Sequence, residues 1–415
     1  MSADKRVVIT GLGATTPVGG TAPQTWDALL AGTSGAKPLP QEWLDRYELP
    51  VTFAASLDQD PSEVLAKVEV RRMDPFSQYA MIAAREAWAD AGTPDIEPER
   101  LLAAIGTGIG GVHTLLAQYD VLKEKGPRRI YPLTVPMLMP NAASGVVSLE
   151  FKARAGAHTA VSACASGAES MGMAANMIRE GRADMAIAGG TEAAIHPLPI
   201  AGFAAAHALS KRNDDPQGAS RPWAADRDGF LLGEGAGVMV LESYEHAKAR
   251  GAKIYAEFAS VGMTADAYHI TAGDPEGETQ ARAMNEAIES AGLTPSDIVH
   301  VNAHATSTPV GDIAEITSIK RAFGDAVGGV ALTGTKSMTG HLLGAAGAIE
   351  AIILAQTLHE RVIPRTINVA EVDPQISDMD LVTDEHRKLP DGDIAAMSNA
   401  FGFGGHNIAV VLKSV

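Results

Sequence analysis

The sequence predicts an α/β protein, on three observations. Short apolar, β-branched runs alternate with longer helical patterns along the chain, the rhythm of largely buried sheets flanked by helices. Hydrophobic residues make up 46% and charged residues 20% of the 415 positions; that balance supports a large core and excludes general disorder. Aromatic residues are only 5%, so the core must be built from Ala, Val, Ile, Leu and Met, which suits close helix–sheet contact. On a prior of about 150 residues per domain, the length predicts two or three domain-sized units.

The elements follow in order. Val7 to Thr10 reads as a strand, Ser77 to Ala91 as a helix and Ala103 to Gly106 as a second strand. His158 to Ala163 is expected to be a strand that launches a helix running to about Glu180, stopped by Gly181. Met185 to Ala188 is expected to be a strand ended by Gly189 and Gly190. The second half repeats the pattern, with a strand from Ile254 to Val261, a helix from Thr279 to Ala291 and strands at Ile298 to Asn302 and Val330 to Gly334. A helix follows around Leu342 to His359, and Ala395 to Asn399 and Ile408 to Leu412 form two strands about a glycine-rich turn. Ala163 to Ile178 and Met338 to Leu354 are both rich in small residues and both follow a strand. They suggest a duplicated half, with a join near Arg250.

Charge and cysteine usage narrow the function. Thirty-three basic against 50 acidic residues give a net charge of −17, which argues against a nucleic-acid binder. One cysteine excludes an intrachain disulfide and points to a reducing compartment. The start, MSADKRVVITGLG, lacks a signal-peptide pattern, and the apolar stretch Leu342 to Leu358 is broken by Glu350 and glycines. A cytoplasmic protein without a membrane span is expected.

Cys164, in VSACASGAE, falls between a strand and a small-residue helix. A helix N-terminus favours thiolate there, and nearby cations are expected to lower the thiol pKa below its free value of about 8.5. The same backbone N–H groups can receive an oxyanion. Free cysteine is also commonly just buried, so the neighbours matter. His304, in VNAHATSTPVGD, and His341, in TKSMTGHLLGAAG, each follow a strand. Ligands of open α/β sheets gather beyond the carboxyl ends of strands. A thiolate with two imidazoles there suits acyl transfer to sulfur and then carbon–carbon bond formation. Lys336 and Glu350 bracket His341 and are expected to face one another; such a pair is costly to bury unless hydrogen-bonded.

With these residues in view, the chain resembles an elongating β-ketoacyl-acyl carrier protein synthase, similar to synthase II, over essentially its whole length. The resemblance rests on VVITGLGATTPVG, GTGIGG at Gly106 to Gly111, the cysteine segment, SRPWAADRDGFLLGEGAG, NAHATSTPVGD, KSMTGHLLGAAGAIE and SNAFGFGGHN. It implies the thiolase fold, two similar βαβαβαββ halves in a five-layer α-β-α-β-α arrangement, here residues 1–250 with the nucleophile and 251–415 with both histidines. It implies an acyl chain delivered on a carrier protein's phosphopantetheine to Cys164. Malonyl-carrier protein then loses carbon dioxide, and its carbanion attacks the thioester. No further cofactor is implied.

Residue by residue, the resemblance makes His304 and His341 the catalytic histidines, Lys336 a positioned charge and Glu350 its structural partner. It puts the oxyanion hole at the N–H groups of Cys164 and Phe401. Thr306 and Thr308 match threonines that bind the pantetheine arm, Ile109 and Phe203 match acyl-pocket residues, and Phe401 matches a gate freed by Gly402, Gly404 and Gly405. Asn302, Glu350, Ser398 and Asn407 correspond to a monovalent-cation site. Arg71, Arg72, Arg128 and Arg129 match basic docking positions for an acidic carrier protein, with Lys211 and Arg212 a further candidate pair. Ala305, Ala400 and His406 depart from the common Gly, Ser and Thr.

Tyr131 to Asn141 resembles actinobacterial relatives, and its Met137 and Met139 suit an adaptable pocket or interface packing. A homodimer is implied. The alternative is the ketosynthase of a type II polyketide system, paired with a chain-length factor. A biosynthetic thiolase would need a second cysteine, and an initiating synthase would carry Asn in place of His341.

Overall fold

The computed structural model describes residues 5–415. Ten strands form the main sheet: β1 (Val7–Thr15), β2 (Leu101–Gly106), β3 (Gly156–His158), β4 (Met185–Glu192), β5 (Gly235–Ser243), β6 (Ala256–Ala265), β7 (Ile298–Asn302), β8 (Ala331–Thr333), β9 (Ala395–Gly402) and β10 (His406–Lys413). Their spatial order is β8-β7-β9-β10-β6-β1-β5-β4-β2-β3. Read outward from the centre, each half has the same order: first strand, fifth, fourth, second, third. The first strands, β1 and β6, pair antiparallel at only two positions, Val8 with Glu257 and Ile9 with Ala256. The sheet is therefore two five-stranded sheets joined by a narrow hinge of hydrogen bonds.

Five helices define the layers: α1 (Pro75–Asp90), α2 (Ser166–Arg179), α3 (Glu278–Ser290), α4 (Pro309–Phe323) and α5 (Ala346–Glu360). Helix α1 covers the outer face of β1, β5 and β4, and α3 covers β6 and β10 with α4 against it. Helices α2 and α5 touch each other and strands of both halves. They form the central layer of the α-β-α-β-α stack.

The small-residue patterns are what allow this closeness. A Cβ on Gly13 would lie 2.0 Å from the Ala83 carbonyl of α1, and one on Gly262 would lie 1.9 Å from the Ala283 carbonyl of α3. In the central layer a Cβ on Gly167 would meet Ala348 at 2.9 Å, and one on Gly347 would meet Ala168 at 2.8 Å. The two halves thus repeat the same contacts.

Three expectations need correction. The strand before Cys164 ends at His158, and Thr159 to Ser162 run as irregular chain to a tight turn at Ala163–Ala165. Strand β4 continues through Gly189 and Gly190 to Glu192 because β5 packs against them; a Cβ on Gly189 would lie 2.0 Å from the Gly237 carbonyl. The helix expected from Leu342 is divided: Lys336–Thr339 is one turn, His341 lies in the bridging segment and α5 starts at Ala346. Strand β5, absent from the sequence reading, is wholly buried.

Candidate active site

Cys164 sits in the turn Ala163–Ala165 that opens directly into α2. Ala163 has φ of +51°, a left-handed conformation that costs a non-glycine residue about 1–2 kcal/mol. This sharp corner points the Cys164 side chain into a cavity of about 430 Å³. Cys164, His304, His341, Phe203, Phe401 and Gly402 all line it, as do Thr306 and Thr308. The sequence-predicted reacting groups therefore share one space.

The thiol is not the thiolate expected from a helix N-terminus. Burial pushes its pKa up to about 12, against the pull of Lys336 and of the Phe403 and Cys164 backbone N–H groups. Cys164 is 8% exposed, and desolvation of the charged form outweighs the helix field. A further donor at the sulfur is the Phe403 N–H, two residues beyond Phe401, the expected oxyanion donor, which also lines the cavity. Gly402 explains the approach: a Cβ there would lie 2.4 Å from the Ser162 carbonyl and 3.3 Å from the Cys164 nitrogen. Beyond it, Gly404 and Gly405 take φ of +89° and +80° to turn β9 into β10.

The two imidazoles meet edge to face with ring centroids 5.3 Å apart, and Phe401 lies 5.8 Å from His304. Burial, then the Lys336 charge, holds both histidines well below the usual pKa, and His341 lowers His304 further. Both are neutral at pH 7. Lys336 Nζ lies 3.4 Å from His304 Nδ1 and pairs with the Glu350 carboxylate. Lys336 and Glu350 are 1% and 2% exposed, so this is a buried pair, not a solvated one. Burial pushes Glu350 up to about 7.

Carboxylates that sequence reasoning did not single out hold the loops. Glu315 of α4 accepts the His304 and Ala305 N–H groups at 2.8 and 2.7 Å. Asp312 accepts from Ser307 and Trp223 at 3.0 Å each, and Arg227 lies beside it. These contacts hold the His304 to Thr308 segment, in which Ala305 has φ of +32°, a conformation glycine would adopt without strain. The signal available was an acidic residue one or two turns into a helix that follows the histidine loop.

Other expected residues separate. The Thr306 and Thr308 hydroxyls lie 3.0 Å apart on the cavity wall. Phe203 meets Phe230 edge to face, and Phe230 meets His341 the same way. Ile109 is not part of this cavity's wall and is 41% exposed. Arg71, Arg72, Arg128 and Arg129 are exposed.

Ser398 and Asn302 are register partners on β9 and β7, and the Asn302 amide reaches the Glu350 carbonyl oxygen at 3.4 Å. Glu350 Oε2 and Ser398 Oγ are buried without partners; such oxygens fit a monovalent cation. Asn407 does not join them. It pairs with Phe401 across the hairpin, lines the substrate cavity and bonds Thr264 at 3.4 Å. Alternation along β9 and β10 sends its side chain to the opposite face from Ser398. No group of three His, Cys, Asp or Glu residues placed to hold a metal occurs among the described residues.

Comparison with known proteins agrees with this geometry. Residues 4–247 match the family Beta-ketoacyl synthase, N-terminal domain, and residues 255–370 match Beta-ketoacyl synthase, C-terminal domain. The chain is 47% identical to a 3-oxoacyl-acyl-carrier-protein synthase 2 of Staphylococcus aureus, covering 100% of this chain and 99% of the relative. It is 46% identical to a protein of the same name from Coxiella burnetii, covering 99% of both. Among solved structures, a beta-ketoacyl synthase from Burkholderia phymatum superposes with TM-score 0.91 at 35% identity, covering 99% of this chain and all of that one. A ketosynthase solved with a type II polyketide acyl-carrier protein gives TM-score 0.90 at 32% identity, covering 99% of both chains.

Proposed function

The chain belongs to the β-ketoacyl synthase family, and on that premise we propose that Cys164, His304, His341 and Lys336 carry its reaction. The protein is an acyltransferase-type condensing enzyme that extends an acyl thioester with a malonyl unit on a carrier protein. Synthases of this family need no cofactor beyond that carrier's prosthetic group. The observation that carries the residue assignment is the meeting of the single cysteine and two neutral histidines on the wall of one cavity.

The steps follow from those protonation states. The acyl thioester enters on the pantetheine arm past Thr306 and Thr308. A neutral imidazole takes the Cys164 proton as sulfur attacks, so a thiol raised to about 12 is ionised only during reaction. The oxyanion meets backbone N–H groups around Cys164, and the carrier leaves as a free thiol that regains the proton. In the second step the malonyl carboxylate leaves as carbon dioxide. Its electron pair passes to the α-carbon through an enolate stabilised by the imidazole N–H groups. The carbanion forms the new carbon–carbon bond at the Cys164 thioester, and the cysteine sulfur departs with its electron pair. Lys336 keeps both imidazoles unprotonated, and Glu350 compensates its charge.

Fatty acid elongation is the pathway in this reading, because identity to the synthase 2 relatives is 46–47% against 32% for the type II polyketide ketosynthase. The docking surface comprises Arg71, Arg72, Arg128 and Arg129, exposed basic residues on a chain of net charge −17. A homodimer fits two features: the edge strand β3, whose outer side has no partner strand, and the exposed Ile109, Val135 and Val161. The boundary between halves falls at residue 250, between β5 and β6. The cytoplasm is the compartment of this reading; no described helix is long and apolar enough to cross a membrane.

The test is intact-mass measurement after incubation with acyl-carrier proteins of several chain lengths. One acyl group is expected on the wild-type chain and none on Cys164→Ala. Acylation or condensation by Cys164→Ala would overturn the assignment.

A further inference from the structure

Glu192 ends β4 with no solvent exposure, and the reaction described above does not use it. Its Oε1 accepts the Thr107 hydroxyl at 2.9 Å and the Ile109 N–H at 3.2 Å. Its Oε2 accepts the Gly108 N–H at 2.8 Å and the Gly344 N–H at 3.0 Å. The Thr107 hydroxyl in turn accepts from the Gly110 N–H at 3.3 Å, so its hydrogen points at Glu192. Four donors fill the four lone-pair positions of an ionised carboxylate. Burial raises the Glu192 pKa although these four bonds pull it down; the all-donor arrangement is one that only the anion fully satisfies.

The donors come from both halves of the fold. Thr107, Gly108 and Ile109 follow β2 in the first half, whereas Gly344 lies three residues past His341 in the second. The Cys164 turn packs beside them. A Cβ on Gly344 would lie 2.3 Å from the Gly108 nitrogen, and one on Gly108 would lie 3.2 Å from the Ala163 carbonyl. A Cβ on Gly190 would lie 2.5 Å from the Gly344 carbonyl and 2.7 Å from the Gly167 Cα. The backbones of the acyl-side loop, the histidine turn and the nucleophile turn therefore touch without side chains between them, and one carboxylate bonds two of the three.

We propose that Glu192 is a positioning residue that fixes the His341 turn and the Ile109 loop against Cys164. This rests on the assignment of Cys164 and His341 as reacting groups. Its negative charge also opposes ionisation of Cys164, in contrast to Lys336. Glu192 thus does two separable things: it sets geometry through four bonds and disfavours thiolate through charge.

Glu192→Gln and Glu192→Asp separate them. An amide turns one acceptor into a donor facing an N–H donor and removes the charge. Misplacement of reacting groups by about 1 Å costs on the order of 10²-fold in rate. We expect Glu192→Gln to lower kcat by about that factor with KM for the carrier substrate unchanged, while alkylation of Cys164 by iodoacetamide shifts to lower pH. Glu192→Asp keeps the charge on a shorter arm, so kcat falls while the alkylation profile stays with wild type. Should Glu192→Gln fail to fold, Thr107→Val removes one donor, and a fall in kcat at constant KM is expected. A kcat within threefold of wild type in the folded variants, or a Glu192→Gln alkylation profile that does not move, overturns the proposal. Because Cys164 acylation is read separately by mass, a failure here is distinguishable from a failure of the reaction assignment.

Discussion

At the scale of single residues, the site is governed by desolvation. Cys164, His304 and His341 are all shifted toward their neutral forms by burial before any neighbour acts. Lys336 contacts His304, and its charge acts on all three in useful directions: it favours thiolate and disfavours imidazolium. Lys336→Met removes that charge while keeping an apolar stem. The histidine pKa values then rise toward 6.5 from their lowered positions. Condensation requires neutral imidazoles, so the acid limb of the kcat–pH profile is expected to move to higher pH. An acid limb unchanged from wild type would show that Lys336 does not set the histidine ionisation. The cysteine and both histidines were legible in the sequence because each follows a strand beside small residues. The state of the thiol was not, since burial belongs to the assembled core.

At the scale of elements, glycines decide how closely backbones approach. Gly402 places the end of β9 on the Cys164 turn, and a Cβ on it would lie 2.4 Å from the Ser162 carbonyl, so there is no room for a side chain. Gly402→Ala is expected to push the β9–β10 turn off the nucleophile. The Phe403 N–H then leaves the sulfur, and kcat is expected to fall at least about 10-fold, with a lower Tm. Wild-type kcat in steady-state assays would refute that account. The same closeness explains two misread elements. Strand β5, absent from the sequence reading, begins in the glycine-rich run GEGAG, and β4 was expected to end at Gly189 and Gly190. Both persist because neighbouring strands and the central helices need bare backbone there.

At the scale of the whole molecule, the site lies where two halves meet. Helices α2 and α5, one from each, supply the floor beneath Cys164 and the Lys336–Glu350 pair. The duplication was legible as two small-residue helices, and its reality in the fold is the repeated strand order. The partner surface is a separate matter of net charge. With −17 overall, approach of an acidic carrier protein depends on local basic residues. Reversing both Arg128 and Arg129 to Glu is expected to raise KM for carrier-bound substrate about 10-fold or more, with little change in Cys164 alkylation by a small reagent. Unchanged KM would remove these two residues from the docking surface.

The sequence by itself determined the fold class, the repeated half and the three side chains of the proposed reaction, because periodicity and motif spacing are local properties. Tertiary structure alone decided what those groups can do. It set the neutral thiol, placed Asn407 on the other face of its hairpin from Ser398, and joined Glu192 to partners 84 and 152 positions away in the chain. Desolvation and long-range hydrogen bonds depend on which segments are brought together, and no local pattern records that.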